Sequence, residues 1–330
     1  MAIIKMNFFS RIFVVALTLI FVAGCSKTVE LKISNIEKSP KIQDIENNQN
    51  IQVFISQNSD MQITINSIED VFNAMGLRVV GNYEMNKPFE IRYGKVNQKI
   101  YNLVSFMNED LTYKLIKKYP DFGALSPLGM SIWVDEKNAI NVSTLSLKGM
   151  SQAANVPLDD IDLNAYDAML RKAMLRAMPN GLFTKLESPC DSKKSVRLKK
   201  FIVKSDLNIE EIEAQFEAEL EKLDFLVPNY INMQEMIFDK YDYHIYDFYH
   251  IYSIYKIESI YQISKKYPQR GIFTPISFYL YKKKSEKSVN MGFLSVDASI
   301  YCADVRDKKL LMSLEEIQGA LENIVTQIIE

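Results

Sequence analysis

Few residues in the chain have the type and spacing to do chemistry. Both of its histidines, His244 and His250, stand in Tyr241-Asp242-Tyr243-His244-Ile245-Tyr246-Asp247-Phe248-Tyr249-His250-Ile251-Tyr252, and seven of the 18 tyrosines fall between positions 241 and 261. On one continuous strand the even-numbered residues share a face, which predicts His244, Tyr246, His250 and Tyr252 together. Two imidazoles with Asp242 or Asp247 begin a metal or haem site, but metals want three or four ligands and no His/Cys cluster completes the set. The expectation is therefore no metal and no cofactor. Tyr243, His244, Tyr246, Tyr249, His250 and Tyr252 instead read as an aromatic hairpin surface for a protein partner, a glycan or a small ligand, because Tyr is favoured at interfaces.

The other candidates read as structural. Cys190 and Cys302 are two thiols of an exported chain, and an oxidising compartment favours their pairing as a disulfide. No Cys-x-x-Cys occurs, and a catalytic Cys–His pair has no supporting spacing. Asp159, Asp160 and Asp162 lack the Gly turn and ligand number of a calcium loop and read as acids at a helix start. Met169, Met174 and Met178 have the spacing of core packing. No phosphate-binding glycine loop, nucleophile elbow or zinc-protease motif is present, so no catalytic residue is assigned and the chain reads as non-enzymatic. With 39 basic against 41 acidic residues, nothing recommends nucleic acid as a partner.

Residues 1–24 read as a signal segment. Lys5 and Arg11 precede an apolar run, Ile12 to Val22, that is short for a membrane span and ends in Val22-Ala23-Gly24-Cys25. That ending resembles the bacterial lipobox, which implies cleavage between Gly24 and Cys25, acylation of Cys25 and anchoring at a membrane by lipid. Ser26 after the Cys favours the outer membrane by the same resemblance. Residues 25–50, the lipidated Cys and a polar stretch, read as a tether.

The rest of the chain is a repeat. Lys117-Lys118-Tyr119-Pro120 recurs as Lys265-Lys266-Tyr267-Pro268, and in the same register Tyr101 meets Tyr249, Gly123 meets Gly271, Pro127 meets Pro275 and Trp133 meets Tyr281. Upstream, Val80-Gly81-Asn82-Tyr83 matches Val227-Pro228-Asn229-Tyr230, and downstream Leu145-Ser146 matches Leu294-Ser295. The copies occupy 51–182 and 198–330 with a connector at 183–197. In each, the pattern predicts a strand, a helix, three strands (the middle one at 89–93 or 237–246), a helix ending at the repeated Lys-Lys-Tyr-Pro, a hairpin and a last helix. Hairpins interleaved with helices give an α+β fold of two similar domains, each an antiparallel sheet packed with helices.

The stretch Ser105-Phe106-Met107-Asn108 through Lys118-Tyr119-Pro120-Asp121-Phe122-Gly123-Ala124-Leu125-Ser126-Pro127-Leu128, followed by Met130-Ser131-Ile132-Trp133-Val134-Asp135, resembles the domain-of-unknown-function 302 family. The second copy keeps Gly271, Pro275 and Ile276 but has Lys256 in place of Asn108. The resemblance implies small α+β domains that pair, so a tandem is expected to be a monomer folded as an internal pseudo-dimer. It implies no activity. The expected function is a non-enzymatic cell-envelope lipoprotein binding a protein partner or small envelope ligand. The alternative is a periplasmic carrier or sensor of a small apolar ligand such as a lipid or haem.

Overall fold

The repeat in sequence becomes a repeat in topology. A computed structural model describes residues 49–184, 198–204, 208–296 and 305–329. The first copy runs β1 (Ile51–Gln57), α1 (Ile65–Ala74), β2 (Arg78–Glu84), α2 (Asn86–Tyr93), β3 (Ile100–Met107), α3 (Glu109–Lys118), a 3-10 turn (Pro120–Leu125), β4 (Leu128–Val134), β5 (Ala139–Leu145), α4 (Leu147–Ala154), α5 (Ile161–Ala177) and β6 (Leu182–Thr184). The second runs β7 (Leu198–Lys204), α6 (Ile209–Lys222), β8 (Leu226–Asn232), the single-turn α7 (Met233–Met236), a 3-10 turn (Phe238–Tyr241), β9 (Tyr246–Tyr255), α8 (Ile257–Lys266), a 3-10 turn (Pro268–Phe273), β10 (Ile276–Lys283), β11 (Ser288–Leu294) and α9 (Lys308–Ile329).

The first sheet has the order β2-β3-β4-β5-β1-β6 and the second β8-β9-β10-β11-β7, the same order with β6 added at one edge of the first. Every pairing is antiparallel. These are two similar α+β domains, each an antiparallel sheet packed with helices, and both lie in one compact unit.

Local chemistry sets the helices. Thr64 and Ser67 form a reciprocal capping box at α1, and Asn208 and Glu211 form one at α6. Each helix then buries one stripe against its sheet: Ile68 and Phe72 on α1, and Ile212, Phe216 and Leu220 on α6. Asn108 caps α3 by accepting from Leu111 N at 2.9 Å, while its amide donates to Gly76 O at 2.8 Å. Asn108→Ala removes the cap and that tie together, so it is expected to cost about 1–2 kcal/mol, measured as a lower urea midpoint at unchanged slope.

Asp160 caps α5 by accepting from the backbone N–H groups of Asp162 and Leu163, at 2.9 and 3.1 Å. It also receives Lys118 Nζ at 2.5 Å and Tyr119 Oη at 3.1 Å. Burial alone would raise its pKa, but the lysine, the two N–H groups and the phenol together hold it below the ordinary carboxylate value. A carboxyl depressed in the folded state stabilises the fold above its unfolded value, about 4, and that contribution is lost as pH falls through the folded value. Asp160→Asn keeps a good cap and loses the charge. Its deficit in melting temperature against the parent chain is expected to be full near neutrality and to shrink below about pH 4.

Four sequence expectations need correction. The middle strand expected at 89–93 is helical, and the one expected at 237–246 is a 3-10 turn (Phe238–Tyr241) followed by irregular chain up to Tyr246, where β9 begins. In α2, Pro88 falls in the first turn, where no N–H partner is needed, and Glu84 accepts from Asn86 N and Lys87 N at 2.7 and 3.0 Å. Phe89 is the one residue of α2 that is buried, so the segment has a single anchor in place of an alternating face. The expected Cys190–Cys302 disulfide is withdrawn: no disulfide is found among the described residues, and both cysteines lie outside them, as do Gly24 and Cys25. The membrane expectation gains nothing from the fold, since no helix among the described residues is long and apolar enough to cross a bilayer. The aromatic hairpin is also largely internal, with Tyr246, Tyr249, His250 and Tyr252 buried.

Candidate ligand-binding site

The two copies are locked by exchange of their Tyr-Pro turns. The 3-10 turn of the first copy packs on β10 and β11, and that of the second packs on β4 and β5. Tyr249 donates its hydroxyl to Pro120 O at 2.5 Å, and its repeat equivalent Tyr101 donates to Pro268 O at 3.2 Å. Ser131 also donates to Pro268 O, at 2.8 Å, and Ser143 to Gln269 O at 2.9 Å. Burial pushes both phenols well above their ordinary pKa, so they stay protonated donors. Gly123 and Gly271 make the approach possible. A Cβ on Gly123 would lie 2.1 Å from Tyr249 Oη, and one on Gly271 would lie 2.6 Å from Tyr101 Oη. The structure is thus an internal pseudo-dimer with a reciprocal contact, the arrangement a two-fold homodimer uses between chains.

The exchange is symmetric in backbone and asymmetric in side chains. Asp121, carried by the first turn onto the second sheet, accepts from Tyr279 Oη at 2.9 Å and Tyr281 Oη at 3.3 Å, and pairs with Lys200 Nζ at 2.6 Å. The repeat-equivalent positions on the first sheet are Gln269, Ser131 and Trp133.

Strand β9 distributes the aromatic run over two faces. Phe248 pairs with Lys282 and Tyr246 with Lys283, leaving Asp247 as an extra, bulged residue. The bulge turns Tyr246 onto the inner face, where its ring lies 5.2 Å from Tyr249 and 5.5 Å from Tyr281. His250 and Tyr252 point the other way, under α6. Tyr246, Tyr249, His250 and Tyr252 are all buried, so they offer no surface. Tyr243 is half-buried against Phe238 and Tyr113. His244 precedes the strand, is exposed, and contacts Asp242 at 3.0 Å and Gln234 at 2.9 Å. The two histidines therefore have different partners on different elements, and among the described residues no group of three His, Cys, Asp or Glu side chains could hold a metal ion.

Beneath α6 a polar cluster forms that the sequence reading missed. His250 Nδ1 lies 2.6 Å from Glu213 Oε1, and Tyr252 Oη donates to Glu213 at 2.9 Å and Glu217 at 3.1 Å. The ring of Tyr230, on edge strand β8, lies 5.3 Å from His250 and 5.0 Å from Tyr252. Burial first, then the charges of Glu213 and Glu235, raise the Tyr230 phenol pKa well above normal. Helical spacing carried the signal: Glu213 and Glu217 are i,i+4 and directly follow the buried Ile212 and Phe216. By the register that matches Ile68 and Phe72 to Ile212 and Phe216, Glu213 corresponds to Glu69. There the cluster is reduced to Glu69, Asn82 and Asn102, with Asn102 Nδ2 donating to Asn82 Oδ1 at 2.7 Å. Burial is the largest influence on Glu69 and raises its pKa, against a hydrogen bond from Asn82.

Beside Glu217 lies an open groove of about 350 Å³ at the junction of the copies. Arg92 of α2 forms one wall; Glu217, Glu221 and Asp224 form the other, over Leu220, Phe225, Leu226, Val227 and Ile257. Leu226 and Val227 are on an edge strand, are 44% and 40% exposed, and give the groove an apolar lip. A second cavity, near Arg270, Ser277 and Ile272, is about 50 Å³, room for a water or two. The groove therefore has the size, mixed polarity and placement of a ligand site.

Comparison with known protein families finds the same duplication. The profile described as domain of unknown function DUF302 matches residues 53–177 and again 201–328. A crystal structure of an uncharacterized conserved DUF302 protein from Bacillus stearothermophilus aligns with 40% of this chain and 98% of its own, at 13% identity and a TM-score of 0.34. No curated protein sequence matches the chain.

Proposed function

The chain belongs to the DUF302 family, with one copy in each half, and on that premise we propose that it is a non-enzymatic binding protein of the cell envelope. Its docking site is the groove between Arg92 and the Glu217–Asp224 wall, and its partner is an envelope protein. The observation that carries this reading is the 350 Å³ groove built from both copies, with an apolar lip on an exposed edge strand. Its lining supplies shape, charge and apolar contact, the ingredients of recognition. The small size of the inner cavity weighs against the alternative of a lipid or haem carrier. Cleavage after Gly24 and acylation of Cys25 hold the body to the envelope, with the outer membrane favoured by Ser26, and the body acts as a monomer.

A photo-crosslinking residue at Val227 tests the docking site in living cells. One discrete adduct is expected from Val227, none from the exposed Met312 on α9, and loss of the adduct on Arg92→Glu. Equal adducts from Val227 and Met312, or none from Val227, would overturn the proposal. Acylation is tested separately by the intact mass of the processed chain, where Cys25→Ser is expected to remove the added lipid mass.

A further inference from the structure

A chain of tyrosine rings, all from the second copy except Tyr113 on α3 of the first, runs from the surface to Asp121. Tyr241 stacks on Tyr113 with centroids 4.0 Å apart, Tyr113 contacts Tyr243 at 5.5 Å, and Tyr243 contacts Tyr246 at 6.1 Å. Tyr246 reaches Tyr281 at 5.5 Å, and Tyr281 reaches Tyr279 at 5.8 Å. We infer that these rings form a path for oxidising equivalents, carrying an electron vacancy from Tyr241 and Tyr113 inward to Tyr279 and Tyr281, where Asp121 accepts the phenolic proton.

Three features give the path a direction. Electron tunnelling falls steeply with distance, and every step here is between rings in contact. The Lys117 ammonium lies 5.6 Å from the rings of both Tyr113 and Tyr243, so positive charge disfavours a vacancy resting there. The Tyr246 hydroxyl is buried and has no hydrogen-bond partner among the described residues, so a vacancy there cannot shed its proton and is not trapped as a neutral radical. At the inner end both hydroxyls already donate to Asp121, at 2.9 and 3.3 Å.

The balance is one electron and one proton. A one-electron oxidant at the surface is reduced by Tyr241, whose proton shifts along its hydrogen bond to Asp110 and returns when the vacancy moves on. Tyr279 or Tyr281 then loses one electron to the path and its hydroxyl proton to Asp121, giving a neutral phenoxyl radical and a carboxylic acid. Lys200, its side chain 45% exposed, stays solvated when its partner is neutralised. A one-electron reductant of the thiol or ascorbate class restores both groups. Packing alone does not require this set of residues. At the repeat-equivalent positions the first sheet has Ser131 for Tyr279 and Trp133 for Tyr281, with Gln269 for Asp121, and it folds the same way.

The test uses the full chain with photogenerated ruthenium(III) tris-bipyridine as oxidant and electron paramagnetic resonance as readout. The parent chain is expected to give a long-lived tyrosyl signal. Tyr279→Phe with Tyr281→Phe, which keeps both rings, is expected to remove most of it, and Tyr113→Phe with Tyr241→Phe to slow its appearance. Asp121→Asn, which keeps the shape but not the basic oxygen, is expected to shorten its lifetime and serves as the second arm if the double variant does not fold, as judged by circular dichroism. A signal of unchanged size and decay in the Tyr279/Tyr281 variant, or in Asp121→Asn, would overturn the inference.

Discussion

Phe216→Ala is expected to cost about 3–5 kcal/mol, read as a drop in the urea midpoint at unchanged slope. Phe216 is 1% exposed at the centre of the buried stripe of α6. Its ring is 4.5 Å from Phe278 on β10 and 5.1 Å from Tyr252 on β9, so it joins the helix to the central strand of the second sheet and its neighbour. Truncation removes the transfer energy of the ring and leaves a cavity between elements held by their own hydrogen bonds, which restricts collapse. Tyr252 is also tied to Glu213 and Glu217, so it is not free to turn into the space.

Gly129→Val is expected to cost about 3 kcal/mol for the opposite reason, overpacking. A Cβ at Gly129 would lie 2.1 Å from the carbonyl oxygen of Ile272 and 2.9 Å from its carbon. The obstacle is backbone, in the 3-10 turn that the second copy places on the first sheet, and it has no rotamer to change. The clash is relieved by withdrawing that turn, which lengthens the hydrogen bonds from Ser131 and Tyr101 to Pro268 O. Thermal unfolding followed by circular dichroism is expected to show a lower melting temperature, by about 4–8 °C for each kcal/mol in a domain of 60–100 residues and less for a larger cooperative unit.

The fold was legible where one residue type has one physical meaning. Asn108-Glu109-Asp110 gave the start of α3, Pro120 its end, and the recurring Lys-Lys-Tyr-Pro the duplication, so two similar α+β domains followed from periodicity and punctuation alone. The segment 86–93 was not legible, because its helix rests on one buried Phe and on a Glu84 carboxylate contributed by the preceding strand. The shared face of the hairpin held only for a continuous strand, and the break at Asp247 is a bulge inside β9, which sends Tyr246 inward. The groove depends on Arg92 meeting residues far along the chain, a proximity set by the turn exchange and not by any local signal. Glu213 and Glu217 were readable as a pair on one helix face, but not as partners of His250 and Tyr252 until the sheet register was known.

The central claim is that turn exchange makes the two copies one cooperative body, and the chain carries its own reporter. Trp133 is the single tryptophan, sits on β4 of the first copy, and is 7% exposed. Urea unfolding of Phe216→Ala, a change confined to the second copy, followed in parallel by Trp133 fluorescence and far-ultraviolet circular dichroism, is the direct test. The account predicts that both probes shift together to the same lower midpoint. A Trp133 midpoint unchanged from the parent chain, with only the dichroism signal moving, would mean two independent domains and would contradict it.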